Sequence, residues 1–423
     1  MRGSETVRIL YMTYDGLTSL IGQSQVWPYV SGLSAAGHQF DLITFEHQDR
    51  LDRIGDTVAR DVGETTVSWH PCSFRSRPPV LAKILDLREM VATARRVAAS
   101  DRFDVAHARS YPAADAALKL KRSSGLPFIF DTRGFLIDQR RDGNRWPKSN
   151  PFYRALYNRW KAKEADFIAN ADHIIVLAAT ARRVIESWPC YRGQPITVIP
   201  CCIDHEAFPV RSAQTRAEAR ARLDIAEDAT VLAYLGSVGT VYLLPEMLRF
   251  FDRLRRVRPG AKFLFIGEHS ADQLIATARS AGVTLGVDDL RLKFSEHGKV
   301  PFWLAAADLA LCLIASQFSS LGVSPTKLGE YLACGLPVVV NDGVGDVSEI
   351  VKGLGAGAVL STMSDAEMDG VVSRLDEILT IDPADLRERS QAIHDMPVAL
   401  AKYRQVYDSV AAAADVKLKV SQP

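Results

Sequence analysis

At 423 residues the chain is long enough for two or three domains, given about 150 residues per domain. With 47% hydrophobic, 24% charged and 8% aromatic residues, it has the composition of packed globular protein, which excludes disordered, collagen-like and disulfide-scaffold classes. The net charge of +1 hides an asymmetry: residues 1–200 carry 28 Lys and Arg against 21 Asp and Glu, and residues 201–423 carry 23 against 29, so the two halves suit partners of different charge.

In chain order, short β-branched or aliphatic runs alternate with helical patterns, as in βαβ units with parallel sheets. The first series of strands is expected at Val7–Met12, Gln39–Phe45, Thr66–Trp69, Asp104–Ala108, Phe128–Asp131, His173–Leu177 and Thr197–Ile199. Helices over Val26–Ala36, Val80–Ala99, Tyr153–Asn170 and Ala178–Trp188 lie among them. Pro200–Thr215, with Pro209 and mixed charges, reads as a linker. A second series follows at Thr230–Gly236, Lys262–Gly267, Arg291–Phe294, Leu309–Ile314 and Pro337–Asn341. A last amphipathic helix over about 397–412 follows the second sheet, and it must pack on something already built.

Six cysteines, Cys72, Cys190, Cys201, Cys202, Cys312 and Cys334, show no C-x-x-C, so they are expected to be reduced and mostly buried. No run of about 18 apolar residues predicts a membrane span, and the start carries no secretory pattern. A cytoplasmic protein is expected.

In doubly wound sheets, ligands gather at the carboxyl ends of strands and at helix N-termini. After the first strand comes the polar loop Asp15–Gln25, which lacks G-x-G-x-x-G and so gives no support to a nicotinamide cofactor. It is either an ordinary βα loop or one where Gly16 and Gly22 let the backbone approach a phosphate or sugar, with Asp15 accepting hydroxyl protons. His107, Arg109, Asp131 and Arg133 share one predicted sheet rim. In Ser324–Val340, Pro325 and Gly335 bracket a helix of roughly ten residues. Lys327 and Glu330 are three apart; they form either a surface ion pair or a site with Lys327 on a diphosphate and Glu330 on ribose hydroxyls. Between residues 133 and 171, cations alternate with aromatics from Arg140 to Lys163. This is either a solvated helix face or one suited to an anionic membrane or a lipid-linked diphosphate. No nucleic-acid motif accompanies it.

The chain resembles the GT-B glycosyltransferases of the retaining family 4 (group 1) type. The resemblance rests on Asp15–Gln25, His107, Val198–Asp204 before Phe208, Tyr234–Ser237 and Ser324–Asp346, in the family's order. Asp131–Phe135 and Gly236–Thr240 add a narrower similarity to bacterial polysaccharide and glycolipid members. It departs from the family pattern in three places. Gly322 stands where many members have the first Glu of E-x7-E, and Ser237 and Tyr242 stand where they commonly have an Arg and a Lys on the donor diphosphate.

The resemblance implies an α/β fold of two doubly wound Rossmann-like domains with an interdomain cleft and a C-terminal crossover helix. Residues 1–205 would bind acceptor, 206–395 would bind nucleotide sugar, and 396–423 would pack back on the first domain. The expected activity is retaining glycosyl transfer from a nucleotide sugar to a glycan or lipid-linked acceptor. No metal or other cofactor would be required. Catalytic roles fall on His107, Asp131, Lys327 and Glu330. Donor contacts fall on Gly236, Ser237, Gly239, Thr240, Ser324, Pro325, Thr326, Lys327 and Glu330. Acceptor contacts fall on Asp15, Gly16, Gly22, Arg109 and Arg133, and the donor-site Glu330 is expected to be accessible. An anionic membrane surface is a further expected partner, with a peripheral location on its inner face, and nucleic acid is not. The alternatives are a degenerate GT-B protein acting as a partner or scaffold, and a GT-B-like sugar-nucleotide epimerase.

Overall fold

A computed structural model describes residues 6–239 and 241–420; Thr240, expected at the donor, lies outside the described residues. The chain divides into two compact units. One holds the residues up to Pro200 together with those from Pro397 onward, and the other is Cys201–Met396.

The first unit is a seven-stranded sheet in the order β3-β2-β1-β4-β5-β6-β7. Its strands are β1 (Arg8–Thr13), β2 (Gln39–Glu46), β3 (Val67–Ser73), β4 (Val105–Arg109), β5 (Phe128–Asp131), β6 (His173–Val176) and β7 (Ile196–Val198). Every pairing is parallel, and β1, β4, β5 and β6 are almost wholly buried, as expected of a sheet covered on both faces. The strand order reverses between β1 and β4, so the loops after them flank the position where such sheets bind ligands.

The second unit is a six-stranded parallel sheet, β10-β9-β8-β11-β12-β13. It comprises β8 (Val231–Leu235), β9 (Lys262–Ile266), β10 (Leu290–Lys293), β11 (Leu309–Cys312), β12 (Val338–Asn341) and β13 (Gly357–Leu360). Alternate residues of β8 supply opposite faces: Val231, Ala233 and Leu235 enter one core cluster, while Leu232 and Tyr234 enter the other. This is the period of two that a strand imposes. Both sheets are of the doubly wound, Rossmann-like kind.

Differences from the sequence reading have local causes. β3 runs on through Pro71 to Ser73, because it is an edge strand where a missing N–H leaves no central ladder bond unmade. β11 stops at Cys312, and the Asn341 side chain then binds both the N–H and the carbonyl of Ile314 at 2.8 Å. The sequence reading omitted β13 and the short helix Leu20–Gln25. Pro200–Thr215 is not a free linker over its first half. Cys201, Cys202, Ile203, His205 and Phe208 are buried, and the Ile203 N–H donates to the His394 carbonyl at 2.9 Å.

The last helix, Met396–Val420, is longer than expected. Leu400 fits against Gly32, and Tyr403 and Tyr407 reach into the first sheet. All six cysteines are free, and five are buried. Among the described residues no helix is long and apolar enough to cross a membrane.

Candidate functional site

The rim of the first sheet is built on a buried carboxylate. Glu46, at the end of β2, accepts from the Leu17 N–H at 2.7 Å, the Thr18 N–H at 3.1 Å, and the Thr18 and Thr44 hydroxyls at 2.6 Å each. This pulls the loop after β1 down onto the sheet. A Cβ at Gly16 would collide with Glu46 and the Phe45 carbonyl, and one at Gly22 with the Gly16 carbonyl. Both glycines thus let the loop pack closely on itself.

His107 and Asp131 were expected on an open rim and are in the interior. His107 lies in the middle of β4 beside Tyr11, its register partner, with ring centroids 4.3 Å apart. The Tyr407 hydroxyl bonds its Nδ1 at 2.9 Å, and its Nε2 is 3.5 Å from Asp131 Oδ2. Tyr403 donates to the same carboxylate oxygen at 3.2 Å. Burial lowers the His107 pKa and favours the neutral ring. Burial pushes Asp131 up, but Arg133, His107 and Arg109 together outweigh it and hold the carboxyl below its usual range. Neither side chain has exposed surface, and the two form a polar floor under the rim. On that floor, Arg109 pairs with Asp15, and Arg133 donates to Gln25 Oε1 at 3.3 Å. Asp15, Arg109 and Arg133 are therefore brought together, with Asp15 the most exposed of the three.

The second rim centres on Lys327. Its helix, Thr326–Ala333, starts after Pro325 and presents its N-terminus at the carboxyl edge of the sheet. The ammonium donates to the Tyr234 hydroxyl at 2.9 Å and lies 4.1 Å from the centre of that ring and 3.7 Å from that of Tyr242. These are cation–π distances. Burial lowers its pKa to about 8, against smaller opposing effects of Cys312 and Glu330. Gly236 has φ of +113°, and a Cβ there would lie 3.2 Å from the Lys327 nitrogen. The glycine lets the chain turn closely over the amine. The Ser237 carbonyl accepts from the Tyr234 hydroxyl at 2.8 Å, while Ser237 and Gly239 are exposed.

Glu330 does not pair with Lys327. It accepts from His297 Nε2 at 2.8 Å, and that bond raises the His297 pKa. Glu330 is only 5% exposed, so the expected accessible carboxylate is instead covered. The helix is shorter than expected, and Pro325 is buried. The Ser324 hydroxyl accepts from the Cys201 N–H at 3.1 Å, and Thr326 is partly exposed. Sequence reasoning missed Glu46, His297 and the role of Tyr234. Tyr234 had a signal, one strand step from Val231–Ala233 and two residues before Gly236, whereas a lone His in a loop had none.

Two family models match, Glycosyltransferase Family 4 over residues 25–207 and Glycosyl transferases group 1 over residues 215–392, and together they span most of the chain. The chain belongs to the family 4, group 1 glycosyltransferases. Solved structures share the two-domain GT-B fold at low identity. Sucrose-phosphate synthase from Thermosynechococcus elongatus is 15% identical with a TM-score of 0.67, covering 96% of this chain and 100% of that one. Anabaena HepE, in complex with UDP and glucose, is 12% identical with a TM-score of 0.68, covering 95% and 100%. The lipopolysaccharide outer core galactosyltransferase WaaB is 12% identical with a TM-score of 0.62, covering 95% and 99%. No curated protein sequence matches this glycosyltransferase significantly.

Proposed function

We propose that this glycosyltransferase moves a sugar from a nucleotide sugar to a glycan or lipid-linked acceptor with retention at the anomeric carbon. The observation that carries the reading is Lys327, a buried amine under the Gly236 turn at the start of a helix. A diphosphate placed there meets the ammonium, the helix N-terminal N–H groups and the turn after β8. HepE binds UDP and glucose, which supports a nucleotide sugar as the donor class.

In this reading the second domain holds the donor, with the Glu330 carboxylate keeping its bond to His297 and accepting from the ribose hydroxyls with its remaining lone pairs. The first holds the acceptor near Asp15, Arg109 and Arg133. The bond from the anomeric carbon to the diphosphate oxygen breaks, and the acceptor hydroxyl bonds that carbon and passes its proton to the departing diphosphate. Lys327 stabilises the charge growing on the departing diphosphate, and no metal or other cofactor is given a role.

A second reading, a binding partner without turnover, is favoured by Ser237, Tyr242 and Gly322 at three positions where the family usually has charge. Tyr242 indeed lies over Lys327 instead of adding a cation. Acceptor-dependent release of nucleoside diphosphate from a panel of nucleotide sugars separates the two. Release with an α-linked product from an α-linked donor supports retaining transfer. Nucleotide binding without release from any donor and acceptor pair supports the partner.

A further inference from the structure

The carboxylate placed on the ribose is held by a side chain from another part of the second unit. His297 opens a single 3-10 turn, His297–Lys299, in the loop after β10. The helix that follows, Val300–Leu304, buries Val300, Trp303 and Leu304, which gives the turn a fixed base. The imidazole lies edge-on to the buried ring of Phe208, with centroids 5.3 Å apart and planes inclined by 61°. Its Nε2 bonds Glu330 Oε1 at 2.8 Å, yet the side chain remains 46% exposed.

Glu330 follows Lys327 by three residues on the helix Thr326–Ala333, a spacing at which opposite charges meet on one face. Here they do not. The Lys327 ammonium bonds Tyr234, and among the described residues no group other than His297 hydrogen-bonds the Glu330 carboxylate. The terminal torsion of a glutamate is soft, so without that bond the carboxylate would swing freely or turn to the amine. With it, Oε1 is fixed, the amine is left for an incoming anion, and the remaining lone pairs of the carboxylate have one orientation. The same bond raises the His297 pKa and so favours the imidazolium, the stronger donor to a carboxylate.

We propose that His297 is a positioning residue for the donor, fixing Glu330 so that the site selects ribose over 2′-deoxyribose. The ring acts through Glu330 and touches neither sugar nor phosphate. A carboxylate aimed at the ribose hydroxyls is left unpaired by an analogue that lacks one of them, which is how such sites reject the analogue. A carboxylate free to turn away pays no such penalty. The proposal deepens the nucleotide-sugar reading and rests on it.

Titration calorimetry of UDP, GDP, ADP and CDP, each against its 2′-deoxy counterpart, tests it. Base and diphosphate are common to each pair, so the ratio of affinities isolates the hydroxyl. The proteins are the full-length parent, His297→Leu, His297→Gln, Glu330→Gln and the His297→Leu, Glu330→Gln double variant. The parent should bind a ribonucleotide about tenfold or more tighter than its deoxy form. In His297→Leu the ratio should fall towards unity with the parent's Tm, because the ring is half exposed; if leucine lowers Tm, His297→Ala carries the same test. His297→Gln, whose amide N–H still donates, should recover most of the ratio. The double variant should lose no more than Glu330→Gln alone, as expected of a residue acting through that carboxylate. A His297→Leu ratio equal to the parent's overturns the proposal, as do a glutamine variant no better than leucine and losses that add in the double variant. A parent that binds ribose and deoxyribose forms equally overturns it and leaves the transferase reading standing. A parent that binds no nucleotide overturns both.

Discussion

Lys327 is the side chain whose environment says most about chemistry. Burial lowers its pKa to about 8, whereas a bound diphosphate would favour the charged form and raise it. The free amine loses its proton as pH rises through about 8, so nucleotide binding above that pH must take up a proton. Affinity should therefore fall from pH 7.5 to 9.5, and calorimetry in buffers of different ionisation enthalpy should register the uptake. In Lys327→Ala that uptake should vanish, and turnover should drop on the scale of about 10²–10³-fold seen when one transition-state donor is removed. Single-turnover kinetics measure that loss separately from acceptor affinity. The sequence disclosed Lys327 and Glu330 through their spacing at a helix start, but not the partners that separate them. Tyr234 and His297 come from other strands and loops, and a one-dimensional pattern holds no record of that approach.

At the scale of elements, apolar runs gave most strands to within a few residues, because a strand covered on both faces must be apolar nearly throughout. β13 escaped because Gly357–Leu360 is four residues beginning in glycine. Its pairing depends on that glycine. Gly357 has φ of +141°, and a Cβ would overlap the Val338 carbonyl across the ladder. Gly357→Ala should therefore destabilise the second unit by more than about 2 kcal/mol, combining backbone strain with a clash that flexible side chains cannot relieve. Urea denaturation checks this, with an unchanged midpoint as the contrary result. The loop after β1 shows the opposite limit. Its glycines were visible, yet the reason for Gly16 is Glu46, about 30 residues on in the chain. Glu46→Gln removes charge from four accepted hydrogen bonds and should loosen Leu17–Gln25, read as faster amide exchange there.

Across the whole molecule, buried histidines tie stability to pH. Burial lowers His173 in the first unit and His394 in the second to about 4. Unfolded, each titrates near 6.5, so between 6.5 and 4 the unfolded chain binds more protons than the native one. Their contribution is complete above pH 6.5 and is lost as pH falls towards 4, at up to about 1.4 kcal/mol per pH unit for fully buried His394. Thermal melts at pH 7.5, 6 and 5 should show a progressive fall in Tm that His394→Gln reduces.

The architecture of two parallel sheets was legible because its signal repeats over the full chain. The interior placing of His107 and Asp131 was not, since Tyr403 and Tyr407 reach them from the far end of the sequence.

The central claim is that a nucleoside diphosphate is held at the rim of the second sheet by Lys327 and Glu330. Titration calorimetry of UDP, GDP, ADP, CDP and TDP into the full-length protein, Lys327→Ala and Glu330→Gln tests it most directly. The account predicts that at least one diphosphate binds the parent and that both variants weaken it by tenfold or more while keeping the parent's Tm. Binding of equal strength to all three proteins, or no binding to the parent, would contradict it.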